Sequence, residues 1–225
     1  MASHTLQALK ELERRRVPVL VATSRRRWSA RKLLASNGLE LPAVLLNGSL
    51  GYDYPDGLLF HSQPFDAIVA AQVLATFEAA GLTPMIYLEA DDIDVVTTSS
   101  MSSGADYRAY LGERLTISPD LQTYCASVPI YSFTIIKHAD RDRLTAIAAS
   151  LTRNGVVAVV SADKVLGDWT LDVAPPEVTK WSGVIDFCKH RNLDSNQVLA
   201  VGDGDNDIAL LTHAKTAIAM NDSTE

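Results

Sequence analysis

The stretch QVLAVGDGDNDIALL, residues 197–211, decides how this chain folds. It reads as an apolar strand, a glycine-bearing turn and the start of a helix, with Asp203, Asp205, Asn206 and Asp207 crowded into the turn. A short continuous apolar run such as VLAV is the pattern of a strand covered on both faces, as in a parallel sheet. Open α/β sheets bind ligands outside the carboxyl ends of their strands, and Asp203 stands at such an end. Neighbouring carboxylates repel and raise each other's pKa unless a positive group lies between them. Mg²⁺ is typically held by one or two carboxylates, waters and substrate phosphate, so Asp203 and Asp207 are the expected metal ligands. Asn206 offers an amide donor to a phosphate oxygen.

Two plainer readings compete. Asp207 also suits a helix N-terminus, and Asp203 a turn. A calcium loop fails on spacing, because Ile208 stands at the sixth position in place of Gly and Ala214 at the twelfth in place of Glu.

Working outward, helix and strand patterns alternate. Leu6, Leu9 and Leu12 recur at helical spacing. VPVLVAT (17–23) is a buried-strand run, RRRWSARKLLASNG (25–38) a helix closed by Gly38, and AVLLNGS (43–49) a second buried strand. Short links between such pieces describe a parallel α/β sheet of Rossmann-like type. From about residue 50 the texture becomes richer in strands: a hairpin around Pro55-Asp-Gly57, a helix in FDAIVAAQVLATFEAAG, then PMIYLE, DIDVVTT, VPIYSFTIIKH, GVVAVVSA and DWTLDVA. Residues 99–126 carry no clear period. The parallel pattern resumes after Pro175-Pro176. The expected organisation is a core of residues 1–50 and 174–225 with an inserted α+β cap at 51–173.

With 225 residues, 47% hydrophobic and 21% charged, the chain is an ordinary globular protein able to bury a substantial core. A net charge of −7 argues against coating nucleic acid, which needs a basic excess. A few local cations still suffice for a small phosphorylated substrate. No apolar run approaches a membrane span, and MASHTLQALKELERRR is amphipathic rather than a signal peptide. Cys125 and Cys188 fit no metal or redox spacing and read as buried thiols of a reducing, cytoplasmic compartment. The triplets at Asn47 and Asn221 match a glycosylation acceptor by chance in such a chain. Oligomeric state cannot be read.

Two further segments carry chemistry. In VLVATSRR, Thr23 is a hydroxyl at a strand end, where with the Ser24 and Arg25 amides it can hold phosphate; a plain N-cap is the alternative. In LDVAPPEVTKWSG, Lys180 opens a helix, where the dipole disfavours a cation. That placement points to a phosphate-binding ammonium rather than a solvated surface lysine.

These pieces, in this order, resemble the haloacid dehalogenase superfamily, and most closely its Cof-type phosphatases with a large α/β cap. The resemblance rests on ALKELERRRVPVLVATSRR, LLNGS, DVAPPEVTKWSGV and VGDGDNDIALL. Ser24 departs from the family's Ala-Thr-Gly-Arg. The resemblance implies Mg²⁺-dependent phosphoryl transfer through an aspartyl-phosphate, with small phosphorylated metabolites such as sugar phosphates as substrates. By position, Thr23 and Lys180 would hold the transferring group, with Ser24, Arg25 and Asn206 beside them. Asp203 would bind the metal with Asp207 supporting it. The family's nucleophile lies in an Asp-x-Asp at the end of a first strand, and residues 1–5 contain neither. The expectation is therefore a chain lacking that strand, cut at both ends and inactive as it stands. The alternatives are a non-catalytic phosphate-binding relative and, with little support, the phosphorylation domain of a cation pump. Tyr87, Glu89, Asp91, Asp92 and Asp94, on strands or turns of the cap, are candidate lining residues, with a solvated acidic face the plainer reading for most of them.

Overall fold

The computed structural model describes residues 2–54, 57–162 and 167–220. The middle of the expected hairpin turn, Pro55-Asp56, and the triplet at Asn221 lie outside them. Helix α1 (Ser3–Arg14) leads to strand β1 (Val21–Ala22), helix α2 (Arg27–Ala35) and strand β2 (Ala43–Leu45). β1 and β2 run parallel, Val21 beside Ala43 and Ala22 beside Val44. The alternation of helix and strand read from the sequence is thus realised here.

Strands β3 (Leu50–Asp53) and β4 (Leu58–Ser62) form a hairpin that is hydrogen-bonded to β2, giving the sheet order β1-β2-β3-β4. The sequence grouped this hairpin with the inserted unit; its backbone instead extends the first sheet. The reversal between β2 and β3 uses left-handed backbone at Leu46 and Asn47. Gly48, at φ +120°, lies so close to the next layer that a Cβ there would stand 2.1 Å from the Thr179 carbonyl oxygen. Only glycine permits that approach.

A second sheet has six strands: β5 (Met85–Tyr87), β6 (Val95–Thr97), β7 (Leu115–Ile117), β8 (Ser132–His138), β9 (Val157–Ala162) and β10 (Trp169–Ala174), in the order β7-β6-β5-β8-β10-β9. Helices α3 (Ala67–Ala79), α5 (Leu121–Ser127) and α6 (Arg141–Arg153) contribute to its apolar core; α4 (Ala105–Leu111) joins β6 to β7. That core contains Phe65, Phe77, Ile86, Phe133, Ile135 and Leu144, all buried. Each helix of this core opens on an aspartate, Asp66, Asp120 or Asp140, whose carboxylate accepts backbone N–H groups of the first turn.

The chain then returns through α7 (Lys180–His190), β11 (Leu199–Gly202), α8 (Ile208–His213) and β12 (Thr216–Ala219). β11 and β12 pair in parallel as a two-stranded sheet. β1 and β11 therefore each end a sheet with one edge open, and both line one apolar groove of about 640 Å³ together with Leu9, Val17, Val184 and Leu210. The sequence expected both runs to be covered strands. In the structure Leu199 is 59% and Val201 51% exposed, and β1 is only half buried. The physical reason is the missing neighbour: among the described residues no strand pairs with either edge.

Side-chain links bind the hairpin to α7. His61 places Nδ1 2.8 Å from Asp186 and Nε2 2.7 Å from the Gly48 carbonyl oxygen. Asp53 accepts from Arg191 at 2.6 Å and faces His190 at 3.1 Å. Between the first and second sheets, the Trp28 indole on α2 lies under the cations of Arg26, Lys32 and Arg114 and edge-on to Tyr110. Cys125 and Cys188 are buried thiols without a disulfide. No helix among the described residues is long and apolar enough to cross a membrane.

Candidate functional site

The carboxyl ends of β1 and β11 open into a cavity of about 490 Å³ roofed by the second sheet. Thr23, Ser24 and Arg25 line it from the loop after β1, and Asp203 from the loop after β11. The Thr23 hydroxyl accepts the Arg25 N–H at 3.2 Å, while Arg25 reaches Ser29 with its guanidinium. Residues far apart in sequence are thus brought to one rim.

Lys180, Asn206 and Asp207 form a second cluster joined to that rim. The Lys180 ammonium, 5% exposed, donates to Asp207 Oδ1 at 2.6 Å and to Asn206 Oδ1 at 3.0 Å. The other oxygen of Asp207 accepts the backbone N–H groups of Asp203 (3.0 Å) and Gly204 (3.2 Å). Both Asp207 oxygens are therefore engaged. The expected metal ligand Asp207 thus lies against a buried ammonium and shapes the loop that presents Asp203. Gly202 makes this possible, since a Cβ there would lie 2.6 Å from the Asp207 Cβ.

A lysine in the first turn of a helix had pointed to a ligand. Its position is explained in part by Thr179, which caps α7 in a reciprocal box with Ser182, and by the Asp207 counter-charge. Two of the three ammonium hydrogens have protein partners, leaving one for an oxyanion.

Asn47 is a site residue that sequence reasoning passed over. Its Oδ1 accepts from Asn206 at 3.0 Å, and its Nδ2 donates to Asp172 at 3.4 Å. It thereby connects the acidic loop to β10 of the second sheet. The Asn-Gly pair at 47–48 was the available signal, since it marks a backbone turn with left-handed residues.

Of the five candidates, on β5 and the link from β5 to β6, only Tyr87 lines the cavity. Glu89 takes the Tyr52 hydroxyl and Arg27, Asp91 pairs with Arg27 at 2.8 Å, and the Asp92 carbonyl accepts from Arg114. Asp94 is buried against Arg26. Burial pushes its carboxyl above the usual range, with the Arg26 guanidinium opposing that shift. Burial likewise raises the Tyr87 and Tyr107 phenols, which face each other at 3.3 Å in the cavity wall and stay protonated at neutral pH.

A haloacid dehalogenase-like hydrolase family model matches residues 1–225. The chain belongs to that family. Among relatives of this hydrolase, a phosphoglycolate phosphatase of Methanopyrus kandleri is 24% identical over 220 residues, covering 98% of this chain and 76% of its own. A haloacid dehalogenase-like hydrolase from B. subtilis shares the fold with a TM-score of 0.80 at 16% identity, over 99% of this chain and 84% of that one. A sugar phosphatase of subclass IIB has a TM-score of 0.71 at 15% identity, over 100% and 82%. The expected fold, a Rossmann-like α/β core with a second α+β unit, is the fold of this family member.

Among the described residues of this hydrolase, no group of three or more His, Cys, Asp or Glu side chains could hold a metal ion. Two carboxylates line the cavity, Asp203 from the loop after β11 and Asp172 from β10. Such a set suits Mg²⁺, which keeps several waters and takes substrate phosphate beside one or two carboxylates.

Proposed function

We propose that this hydrolase is a Mg²⁺-dependent phosphatase of small phosphorylated metabolites such as sugar phosphates. Its reaction proceeds through an aspartyl-phosphate whose carboxylate lies on a strand outside this chain. The observation that carries the reading is the meeting of Thr23 and Asp203 at one cavity, with the Lys180 ammonium tied to the same loop. The open groove between β1 and β11 supports the second part. A strand lying there would pair with both edges and end beside Thr23 and Asp203.

In this reading Thr23 donates its hydroxyl to the phosphoryl group, with the Ser24 and Arg25 loop beside it. The third Lys180 hydrogen and the remaining Asn206 N–H act on the same oxygens. Asp203 is the protein's ligand to Mg²⁺, which supplies positive charge against the transferring oxygens when bound. Asp207 and Asn47 are positioning residues: Asp207 fixes the Asp203 backbone and the lysine, and Asn47 fixes Asn206. The second unit acts as a cap that excludes water and selects the substrate. We place its first boundary after β4, near residue 63, rather than at 51, and its second at 173–174. Buried free thiols suit a reducing, cytoplasmic setting.

The test is calorimetry of inorganic phosphate with Mg²⁺ on this chain, followed by a phosphatase panel on a version extended at its N-terminus. Phosphate binding lost in Thr23→Val, and turnover in the extended protein lost in Asp203→Ala, are the expected results. Turnover by the chain as given would overturn the assignment of the nucleophile. Binding without turnover in the extended protein would leave a non-catalytic phosphate-binding relative.

A further inference from the structure

Arg26 lies in a run of three arginines, yet only 3% of it is exposed, whereas its neighbour Arg25 is exposed. It lines the cavity. Its Nη1 donates to Asp94, which is itself buried. Its Nε and Nη2 are buried with no hydrogen-bond partner among the described residues. A buried guanidinium leaving two donors unmet carries a desolvation cost that a bound acceptor would remove.

The two unmet nitrogens are not arbitrary. Nε and Nη2 form one edge of the guanidinium fork, whose parallel N–H bonds match the two oxygens of a carboxylate or phosphate. Asp94, on the other side, fixes the plane of the group. The same cavity holds a second buried orphan, the Thr170 hydroxyl on β10. The Tyr87 and Tyr107 hydroxyls share one hydrogen bond between them, so one phenolic O–H is also unspent. The Asp172 carboxylate in the same wall accepts from Thr134 at 3.0 Å and from Asn47.

We infer that the cavity has a second oxyanion subsite built on the free edge of Arg26, with Thr170 and the tyrosine pair beside it. The substrate is then a phosphate monoester that carries a further anionic group, a carboxylate or a second phosphate. This rests on the phosphatase reading, which places the first phosphate at Thr23 and Asp203; the Arg26 edge adds what must stand at the other end of the molecule.

Calorimetry on the chain as it exists, with Mg²⁺ at fixed ionic strength, tests it with four probes. Inorganic phosphate gives the affinity for a phosphate that carries no second anionic group. Glycerol 3-phosphate and 3-phosphoglycerate differ by a terminal alcohol against a carboxylate, and propanediol bisphosphate offers a phosphate there. A charge-assisted hydrogen-bonded pair predicts that 3-phosphoglycerate or the bisphosphate binds about 10-fold or more tighter than glycerol 3-phosphate. Whichever of the two leads identifies the anion. In R26Q that ratio falls to about one, and in T170V it shrinks. Equal affinities across the wild-type pair would overturn the inference without recourse to any variant, as would a preference that survives R26Q. Binding of inorganic phosphate with no such preference would leave the phosphatase reading standing. Failure of inorganic phosphate to bind would sink both.

Discussion

The two halves of this hydrolase are held together by different physics. The six-stranded unit closes around a continuous apolar core, in which Phe77, Phe133 and Ile135 have no exposed surface. The half that carries the candidate site is divided between two sheets, and large apolar side chains of β11 and β12 remain open. Beside smaller apolar clusters around Leu45 and Leu50, Val184 and Leu34, polar links fix that half: Lys180 with Asp207, His61 with Asp186, Asp53 with Arg191, and the Asn47–Asn206 pair. The functional half leaves apolar edges open, and its geometry at the cavity is set by ion pairs and amide bonds.

The sharpest way to break this contrast is to remove one piece from each half. Phe133→Ala should cost about 3–5 kcal/mol, the usual result of emptying a fully packed aromatic site, read by denaturant unfolding. Lys180→Ala should cost a similar amount, about 3–5 kcal/mol, because it leaves the Asp207 charge buried and uncompensated. It should also abolish phosphate binding, which Phe133→Ala spares in whatever fraction stays folded. A Lys180→Ala protein of wild-type stability would refute the view that charge placement fixes this half.

Smaller effects sharpen the same comparison. For Asp186, burial raises its carboxyl pKa, but the hydrogen bonds from Lys189 and His61 outweigh that and hold it below the ordinary value of 3.8. A depressed carboxylate contributes stability above its unfolded pKa that is lost as pH falls through the folded one. Asp186→Asn should therefore destabilise at pH 7 by less than about 1 kcal/mol, given its partial exposure, and by nothing once the pH is well below 3.8. Thermal unfolding across pH 2–7 reads this. Smallest of all, Leu199→Thr on the open edge should shift stability by no more than about 0.5 kcal/mol in either direction. A large loss there would mean that the groove is already closed in solution.

Much of this was legible in the sequence. The alternation of apolar runs with helical periods placed the parallel strands, and Thr23, Ser24, Arg25 and Asp203 do line one cavity. What stayed hidden was non-local. The alternation in GYDYPDGLLFHS marks a hairpin but not the sheet it joins, which depends on the tight left-handed reversal at Leu46–Gly48. Strand β7 sits in a segment without a period, and pairs parallel to β6 only after α4 crosses over. Nothing in the sequence separates Arg26 from the arginines on either side of it. Its burial follows from Asp94, which is 68 residues away. Asp207 reads from the sequence as a metal ligand, and its contact with Lys180, 27 residues away, is not legible there.

The setting of Trp28 has a practical consequence. Its indole belongs to α2, but Arg114 and Tyr110, two of the groups packed around it, come from the other unit. Cations over an indole face quench and shift its emission, so a hinge opening that parts the two units would alter the fluorescence of this ring. With Trp169 and Trp181 replaced by phenylalanine, the protein carries its own optical gauge of closure, with no dye attached.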